Sequence, residues 1–470
     1  MNKWLPAALD YIPRWIEFQM GESELPGCVI AIADGGKVVL ERAFGHADLD
    51  RRTILTPRHR FRVASHSKSF TSAGIMKLRE KGRLRLDDSI GQYVEGLHRD
   101  IAEATIAQIL SHTAGLVRDG WDSGQWADRR PFLDEQELRA DLAAAPIIEA
   151  NTRFKYSNHG FGLIGMLIEA ITGESYRDWI KREIVAVAGL EETEPDMPVP
   201  RSVPLARGHS GMRPLGKRVV IPGDNPTNAL APATGFVSTA ADLVRFFAQL
   251  DPAARRSVLS VASRREMVRR QWQDPHSTFG SWYGLGVASG RTADCDWFGH
   301  GGGFQGFITR TSVLPEHGLT VSVLTNAIDG WAHLWWGGII QILGSFARRG
   351  APTARVRDWT GRWWTPWYAI DLVPMGHRVV IAAPGMLNPV MDASEITVSS
   401  ENEGRITLAN GFANHGETVR RVRGKNGRVE ELWLGGTRCV PEAKVVAELE
   451  TRYGKQRGAR ALKTRRARAA

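Results

Sequence analysis

Strand patterns at both ends of the first 350 residues, with helical patterns between them, constrain this chain more than any other feature of its sequence. Cys28–Ala33 and Val38–Ala43 are apolar or alternating runs separated by Asp34-Gly35-Gly36, a hairpin signal. Tyr283–Val287, Phe304–Leu314 and Leu319–Thr325 form a second group resembling a meander, with Pro315-Glu316-His317-Gly318 as a turn. Between them, from about residue 85 to 270, the pattern is mostly helical with Gly- and Pro-rich loops. It includes a buried helix at Leu163–Ile171 ended by Thr172-Gly173, and a helix opening at Ser238 or Thr239 with Asp242 in its first turn. Residues 3–22 read as an amphipathic helix and Trp331–Phe346 as a closing one. The expected fold class is α+β: one antiparallel sheet built from the two ends, a helical insertion opposite it, and a groove between them for an active site.

The composition shifts after Arg348-Arg349-Gly350-Ala351-Pro352. Short β-type runs at Arg378–Ala382, Glu395–Val398, Arg405–Leu408, Glu417–Val422 and Glu430–Leu434 predict a small, separate all-β barrel or sandwich. Trp359, Trp363, Trp364 and Trp367 at its start are expected in core and interdomain packing. The expected divisions are 1–350, 351–446 and a basic, flexible tail at 447–470. From Arg452 onward there are eight basic residues and no acid, and removing them takes the formal charge from +10 to +2. The basic character therefore belongs to the tail, and nucleic acid is not expected as a partner.

An apolar fraction of 43% and a charged fraction of 24% suit a soluble globular protein, and 470 residues exceed one ordinary core. Asp10, Pro13 and Arg14 interrupt the N-terminal apolar stretch, so no secretory signal is read, and no long uncharged run spans a bilayer. Cys28, Cys295 and Cys439 are odd in number, far apart and without a CxxC, which suggests neither a disulfide framework nor a metal site. The histidines show no ligand spacing such as HExxH. The expectation is a cytoplasmic protein with no cofactor, no metal and no membrane partner, acting on a small molecule or short peptide. Homo-oligomerisation is left open.

Three segments carry chemistry. Ser65-His66-Ser67-Lys68 follows an extended run and opens a helical one, which puts Ser65 at a helix N-terminus with Lys68 one turn on. A hydroxyl there has an amine to take its proton, burial to depress that amine's pKa, and unpaired backbone N–H groups for an oxyanion. Tyr156-Ser157-Asn158, the chain's single Tyr-x-Asn, lies in the loop before the buried helix. A phenol near a lysine is expected to have a lowered pKa and to shuttle a proton, and an asparagine offers both a donor and an acceptor. Gly299-His300-Gly301-Gly302-Gly303 stands at the expected entry to a strand, where glycines permit close substrate approach and His300 can bond the tyrosine or a substrate carboxylate.

Taken in order, Ser65-x-x-Lys68, Tyr156-Ser157-Asn158 and His300-Gly301-Gly302 resemble the penicillin-recognising serine hydrolase superfamily. The likeness is to its class C β-lactamase-like branch, with D-aminopeptidases, D-Ala-D-Ala carboxypeptidases and related esterases. Leu110-Ser111-His112-Thr113-Ala114-Gly115-Leu116, Ser238–Leu243 and Tyr283-Gly284-Leu285-Gly286 also resemble the family, and the resemblance covers roughly residues 5–350. It implies a β-lactamase/transpeptidase-like fold. Ser65 would be the acylated nucleophile, Lys68 and Tyr156 would share the proton transfers, and Asn158, His300 and Gly302 would bind substrate. The N–H groups of Ser65 and Gly303 would form the oxyanion hole. His300-Gly301-Gly302 replaces the family's Lys-Thr-Gly, so a permanent positive charge is expected to be missing, which favours substrates uncharged on the leaving side.

The leading expectation is a serine hydrolase that forms an acyl-enzyme on amide bonds of D-amino-acid amides or short peptides. A carboxylesterase or weak β-lactamase using the same serine is the nearest alternative. The absence of Gly-x-Ser-x-Gly argues against an α/β-hydrolase elbow. A non-catalytic binding or sensor protein is the alternative of a different class, and intact Ser65, Lys68 and Tyr156 argue against it.

Overall fold

The two groups of strand signals meet in one antiparallel sheet. In the computed structural model, which describes residues 2–276 and 280–454, the hairpin β1 (Gly27–Asp34) and β2 (Lys37–Asp48) forms one side. β3 (Ala288–Thr292), β4 (Cys295–Phe304), β5 (Phe307–Leu314) and β6 (Leu319–Thr325) form the other, in the order β2-β1-β6-β5-β4-β3. Two-residue strands extend both flanks, making nine strands among the described residues. The seam is β1 against β6, with Cys28 opposite Thr325 and Asp34 opposite Leu319. β1 is buried on both faces nearly to its end, which is why its sequence is a continuous apolar run instead of an alternation.

The second group holds more strand than its sequence signals indicate. The expected strand Tyr283–Val287 is extended only at Trp282–Tyr283, and the chain then turns at Gly286, φ +72°. An alanine Cβ at Gly286 would stand 2.0 Å from Ser72 Oγ, so the turn requires glycine twice over. The glycine run does not precede a strand but forms the end of one: β4 carries Gly299 to Gly303 and pairs with β5 across a tight turn at Gln305-Gly306. Glycine's poor strand propensity hid this, and pairing on both sides overrides it.

Helices cover the sheet. α1 (Ser67–Glu80) is buried at every residue from Ser67 to Met76, and Phe70 stacks between Phe236 and Phe246 at 4.3 and 3.8 Å. α2 (Asn158–Thr172) is capped by Ser157 Oγ, which accepts from the Gly160 N–H, and is ended by Gly173. α3 (Ala240–Gln249) is capped by Thr239, which accepts from the Asp242 N–H, while the Ser238 hydroxyl bonds Thr193. Between α1 and α3 long loops and short helical turns outweigh the expected helices.

The chain divides into two compact units, residues 23–336 and residues 1–22 with 337 onward. The N-terminal helix Leu5–Ser23 thus groups with the C-terminal segment, where its Gln19 amide donates to the Pro384 carbonyl at 2.6 Å. That unit holds eight antiparallel strands in sequential order from Gly361–Trp364 to Thr437–Cys439. Trp364 and Val440 exchange backbone hydrogen bonds of 2.8 and 2.9 Å, bringing the end of the first strand to the end of the last and closing the barrel. Trp359 and Trp363 are in its core, whereas Trp367 is 90% exposed in a turn and so is not the packing residue expected. Residues 447–454 continue a helix and a following turn, and the rest of the expected basic tail lies outside the described residues. No described helix is long and apolar enough to cross a membrane.

Candidate active site

Ser65 lies in the one-turn 3-10 segment Ala64–His66 that leads into α1, where backbone N–H groups have no partner within the helix. The turn is pinned from both sides. The Val63 N–H donates to the Phe236 carbonyl at 3.0 Å, Ser67 Oγ donates to the Ala64 carbonyl at 2.6 Å, and His66 bonds Val63 and Thr311. Ala64 holds a left-handed φ of +50°, a strained conformation for alanine at the residue before the serine.

The structure brings the amine and the phenol to the Ser65 hydroxyl. Lys68 Nζ is 3.2 Å from Ser65 Oγ, and Tyr156 Oη donates to the same oxygen at 2.8 Å. Lys68 is fully buried and donates to Asn158 Oδ1 at 2.7 Å and to the Ala233 carbonyl at 2.9 Å. Burial holds its pKa well below the usual lysine range, with Asp119 opposing and Arg118 adding to the shift. Tyr156 runs against the sequence expectation: burial raises its pKa instead of lowering it, and the Ser65 hydrogen bond and Arg118 oppose that rise without cancelling it.

Tyr156 is placed by the loop that carries Leu110–Leu116. The Lys155 N–H donates to the His112 carbonyl, the Ser157 N–H donates to His112 Nδ1 at 3.1 Å, and the His112 ring lies 4.2 Å from the phenol ring. The Asn158 N–H donates to the Arg118 carbonyl at 2.9 Å, and its amide donates to Asp119 Oδ1 at 2.6 Å. Asp119 therefore fixes the amide's orientation, leaving Oδ1 toward Lys68. No motif in the sequence marks Asp119.

Two cavities open beside Ser65. One, of about 820 Å³, is lined by Arg118, Asp119, Trp126, Lys155 and Asn158. The other, of about 370 Å³, is lined by Tyr156, Trp282, Tyr283, His300 and Arg310. Gly303 borders both. In the β4–β5 pairing Phe304 faces Phe307 at the turn, so by antiparallel alternation Gly303 directs its N–H away from β5. β3 ends opposite Gly299, which leaves that N–H on an open edge beside the serine. Gly302 lines the smaller cavity, and its smallness has a packing reason: a Cβ would meet the Val63 carbonyl oxygen at 2.3 Å.

His300 lines the cavity too, as a neutral group. Its Nδ1 lies 2.6 Å from the Gly301 carbonyl, which can only accept, so Nδ1 carries the proton and Nε2 accepts from Tyr283 Oη at 2.9 Å. Burial holds its pKa well below the ordinary histidine value, and it partners Tyr283, not Tyr156.

The expected lack of a permanent cation does not hold, because Arg310 supplies one. It projects from β5 into the same cavity, 8% exposed, with its guanidinium carbon 4.3 Å over Trp297 and 4.7 Å over Trp336. Among the described residues it has no hydrogen bond and no ion pair, and its Nε is buried without an acceptor. Burial lowers its pKa only to about 10, so it stays charged at neutral pH. Its sequence signal was a lone arginine inside the strand run Phe304–Leu314.

The Beta-lactamase family model matches residues 12–330, a span that holds all of these groups. The chain belongs to the beta-lactamase family. This is a family of serine hydrolases, and the antiparallel sheet with its helical layer is the fold that goes with it. Penicillin-binding protein 4* of Bacillus subtilis (strain 168) is 31% identical over 177 residues, 37% of this chain and 39% of that relative. The match thus spans well under half of either protein. Among solved structures, the octameric penicillin-binding protein homologue from Pyrococcus abyssi superposes with a TM-score of 0.64 at 23% identity, covering 92% of this chain and 99% of that one. A D-stereospecific amidohydrolase from Streptomyces sp. gives 0.59 at 23% identity, covering 72% and 97%. At these identities the superpositions establish the beta-lactamase-family fold.

Proposed function

We propose that this chain hydrolyses amide bonds of short D-amino-acid-containing peptides through an acyl-enzyme on Ser65. One observation carries the reading: the Ser65 hydroxyl stands between a buried amine at 3.2 Å and a phenol at 2.8 Å. Two N–H groups of Lys68 are committed to Asn158 and the Ala233 carbonyl. In the neutral amine the lone pair then faces Ser65 Oγ and takes its proton as that oxygen attacks the substrate carbonyl. The N–H groups of Ser65 and Gly303 receive the oxyanion. Tyr156, kept protonated by its raised pKa, delivers a proton to the departing nitrogen and recovers one from Lys68. Water repeats the sequence to release the acid and free Ser65.

Arg310 selects the leaving side. A buried guanidinium with no ion-pair partner among the described residues, although Asp274 lines the same cavity, favours a leaving group that brings a carboxylate, which makes short peptides with a free C-terminus better substrates than simple amides. The name of the D-stereospecific amidohydrolase supports the D preference. The test is turnover of D-Ala-D-Ala, D-Ala-D-Ala-amide and D-Ala-p-nitroanilide against p-nitrophenyl butyrate and nitrocefin, with intact-mass detection of a fluorophosphonate adduct on Ser65. Labelling with turnover of the butyrate ester alone would replace the amidase reading by an esterase, and no labelling would favour a binding protein.

A further inference from the structure

At the far end of β4 from the glycine run, Cys295 opens the strand, while Glu316 and His317 lie in the 3-10 turn Pro315–His317 that joins β5 to β6. The β4–β5 register pairs Phe298 with Val313, and continued by three residues it sets Cys295 level with Glu316. The backbone therefore holds these side chains together. Cys295 Sγ is 3.4 Å from His317 Nε2, and one donor atom from each of Cys295, Glu316 and His317 lies within 4.8 Å of the others. Cys295 is buried, His317 half-buried, and Glu316 exposed with no ion-pair partner among the described residues.

We infer that Cys295, Glu316 and His317 form a zinc site with an open fourth position. Tetrahedral zinc, with bonds of about 2.0–2.3 Å, spaces its ligand atoms about 3.3–3.7 Å apart. The sulfur–nitrogen edge already has that length. The carboxylate has only to close about 1 Å by rotation of an exposed side chain. Thiolate, imidazole and carboxylate together suit zinc over magnesium or calcium, which take oxygen ligands alone. His300 lies five positions along the strand from Cys295, roughly 17 Å at ~3.3 Å per residue, so the metal stands away from the Ser65 hydroxyl. Its consequence is structural: it ties the start of β4 to the β5–β6 turn and stabilises the folded sheet by mass action. Cysteine spacing along the chain does not reveal this site, since strand register, not sequence proximity, assembles the donors.

The test is a titration of the chelator-treated full-length chain with cobalt(II), followed by zinc. The expected result is one equivalent of cobalt with a thiolate-to-metal charge-transfer band and visible bands of tetrahedral intensity, all displaced by zinc, and a higher melting temperature in zinc. Cys295→Ser removes the charge-transfer band. His317→Ala at the half-buried position and Glu316→Gln at the exposed one, each checked for an unchanged circular dichroism spectrum, weaken zinc binding by about 100-fold or more and about tenfold or more. Absence of the band in the wild-type chain overturns the site. So does a band that persists in His317→Ala, or zinc stabilisation that survives both the His317 and the Glu316 variants. Labelling of Ser65 is read separately and does not depend on the outcome.

Discussion

Tyr283 donates its hydroxyl to His300 Nε2 across 2.9 Å, which leaves the imidazole neutral and fully engaged. A neutral His300 has no charge to offer a substrate, and both its ring nitrogens are engaged, by Tyr283 and by the Gly301 carbonyl. His300→Gln is expected to reduce kcat/KM less than about tenfold, equally for carboxylate-bearing and amidated substrates. A loss confined to the carboxylate-bearing substrate would mean that the histidine is the anion site after all.

Arg310 is the group expected to read that carboxylate. Arg310→Gln removes charge-assisted hydrogen bonds worth ~1.5–3 kcal/mol, so KM for D-Ala-D-Ala should rise about 10- to 100-fold. The amidated dipeptide should be nearly unaffected. Steady-state kinetics on the pair decides, and an equal effect on both would remove Arg310 from substrate recognition.

Tyr156→Phe deletes the proton donor while keeping the ring against His112. The expected loss in kcat is about 100-fold or more, the scale of general acid–base catalysis. Circular dichroism should be unchanged. Full activity in this variant would assign the proton transfers to Lys68 alone.

Lys68 links activity and stability to pH in a direction that can be worked out. In the proposed mechanism its active form is the neutral amine, so kcat/KM should fall on the acid side as Lys68 gains a proton. Its folded pKa lies below its unfolded value, so between the two the unfolded chain binds more protons and stability climbs with pH. The slope approaches ~1.4 kcal/mol per pH unit. Lys68→Met should abolish turnover and flatten that climb, as read from urea-unfolding midpoints at several pH values. A slope identical in wild type and variant would show that Lys68 folds in charged.

Gly302→Ala tests the approach of β4 to the turn that bears Ser65. The added methyl would lie 2.3 Å from the Val63 carbonyl oxygen and 2.6 Å from Thr309 Oγ1. Overpacking of this kind costs about 1–3 kcal/mol, which should appear as a lower melting temperature together with reduced turnover. An unchanged melting temperature would mean that the two segments have room to part.

Much of this was legible in residue order, and the reasons differ from place to place. Leu163–Ile171 announces a buried helix because periodicity and its Gly173 stop are local, and β1 announces a strand for the same reason. Ser65-x-x-Lys68 is legible because one helical turn suffices to bring amine to hydroxyl. The glycine run misled as to strand boundaries because strand formation there depends on pairing with β5, not on propensity. The direction of the Tyr156 shift is not legible in residue order because proximity to a lysine says nothing about how strongly burial disfavours a phenolate.

What residue order determined by itself was the identity and sequence of the candidate site groups and the layout of one sheet drawn from two distant segments. Those follow from periodicities of two and 3.6 and from side-chain chemistry, which are local properties. Only the tertiary structure decided the charge on each group. Burial pushes the Lys68 and His300 pKa values down and leaves Arg310 charged in the smaller cavity, because the energy of a charge depends on the water and partners around it, and folding chooses those from across the chain.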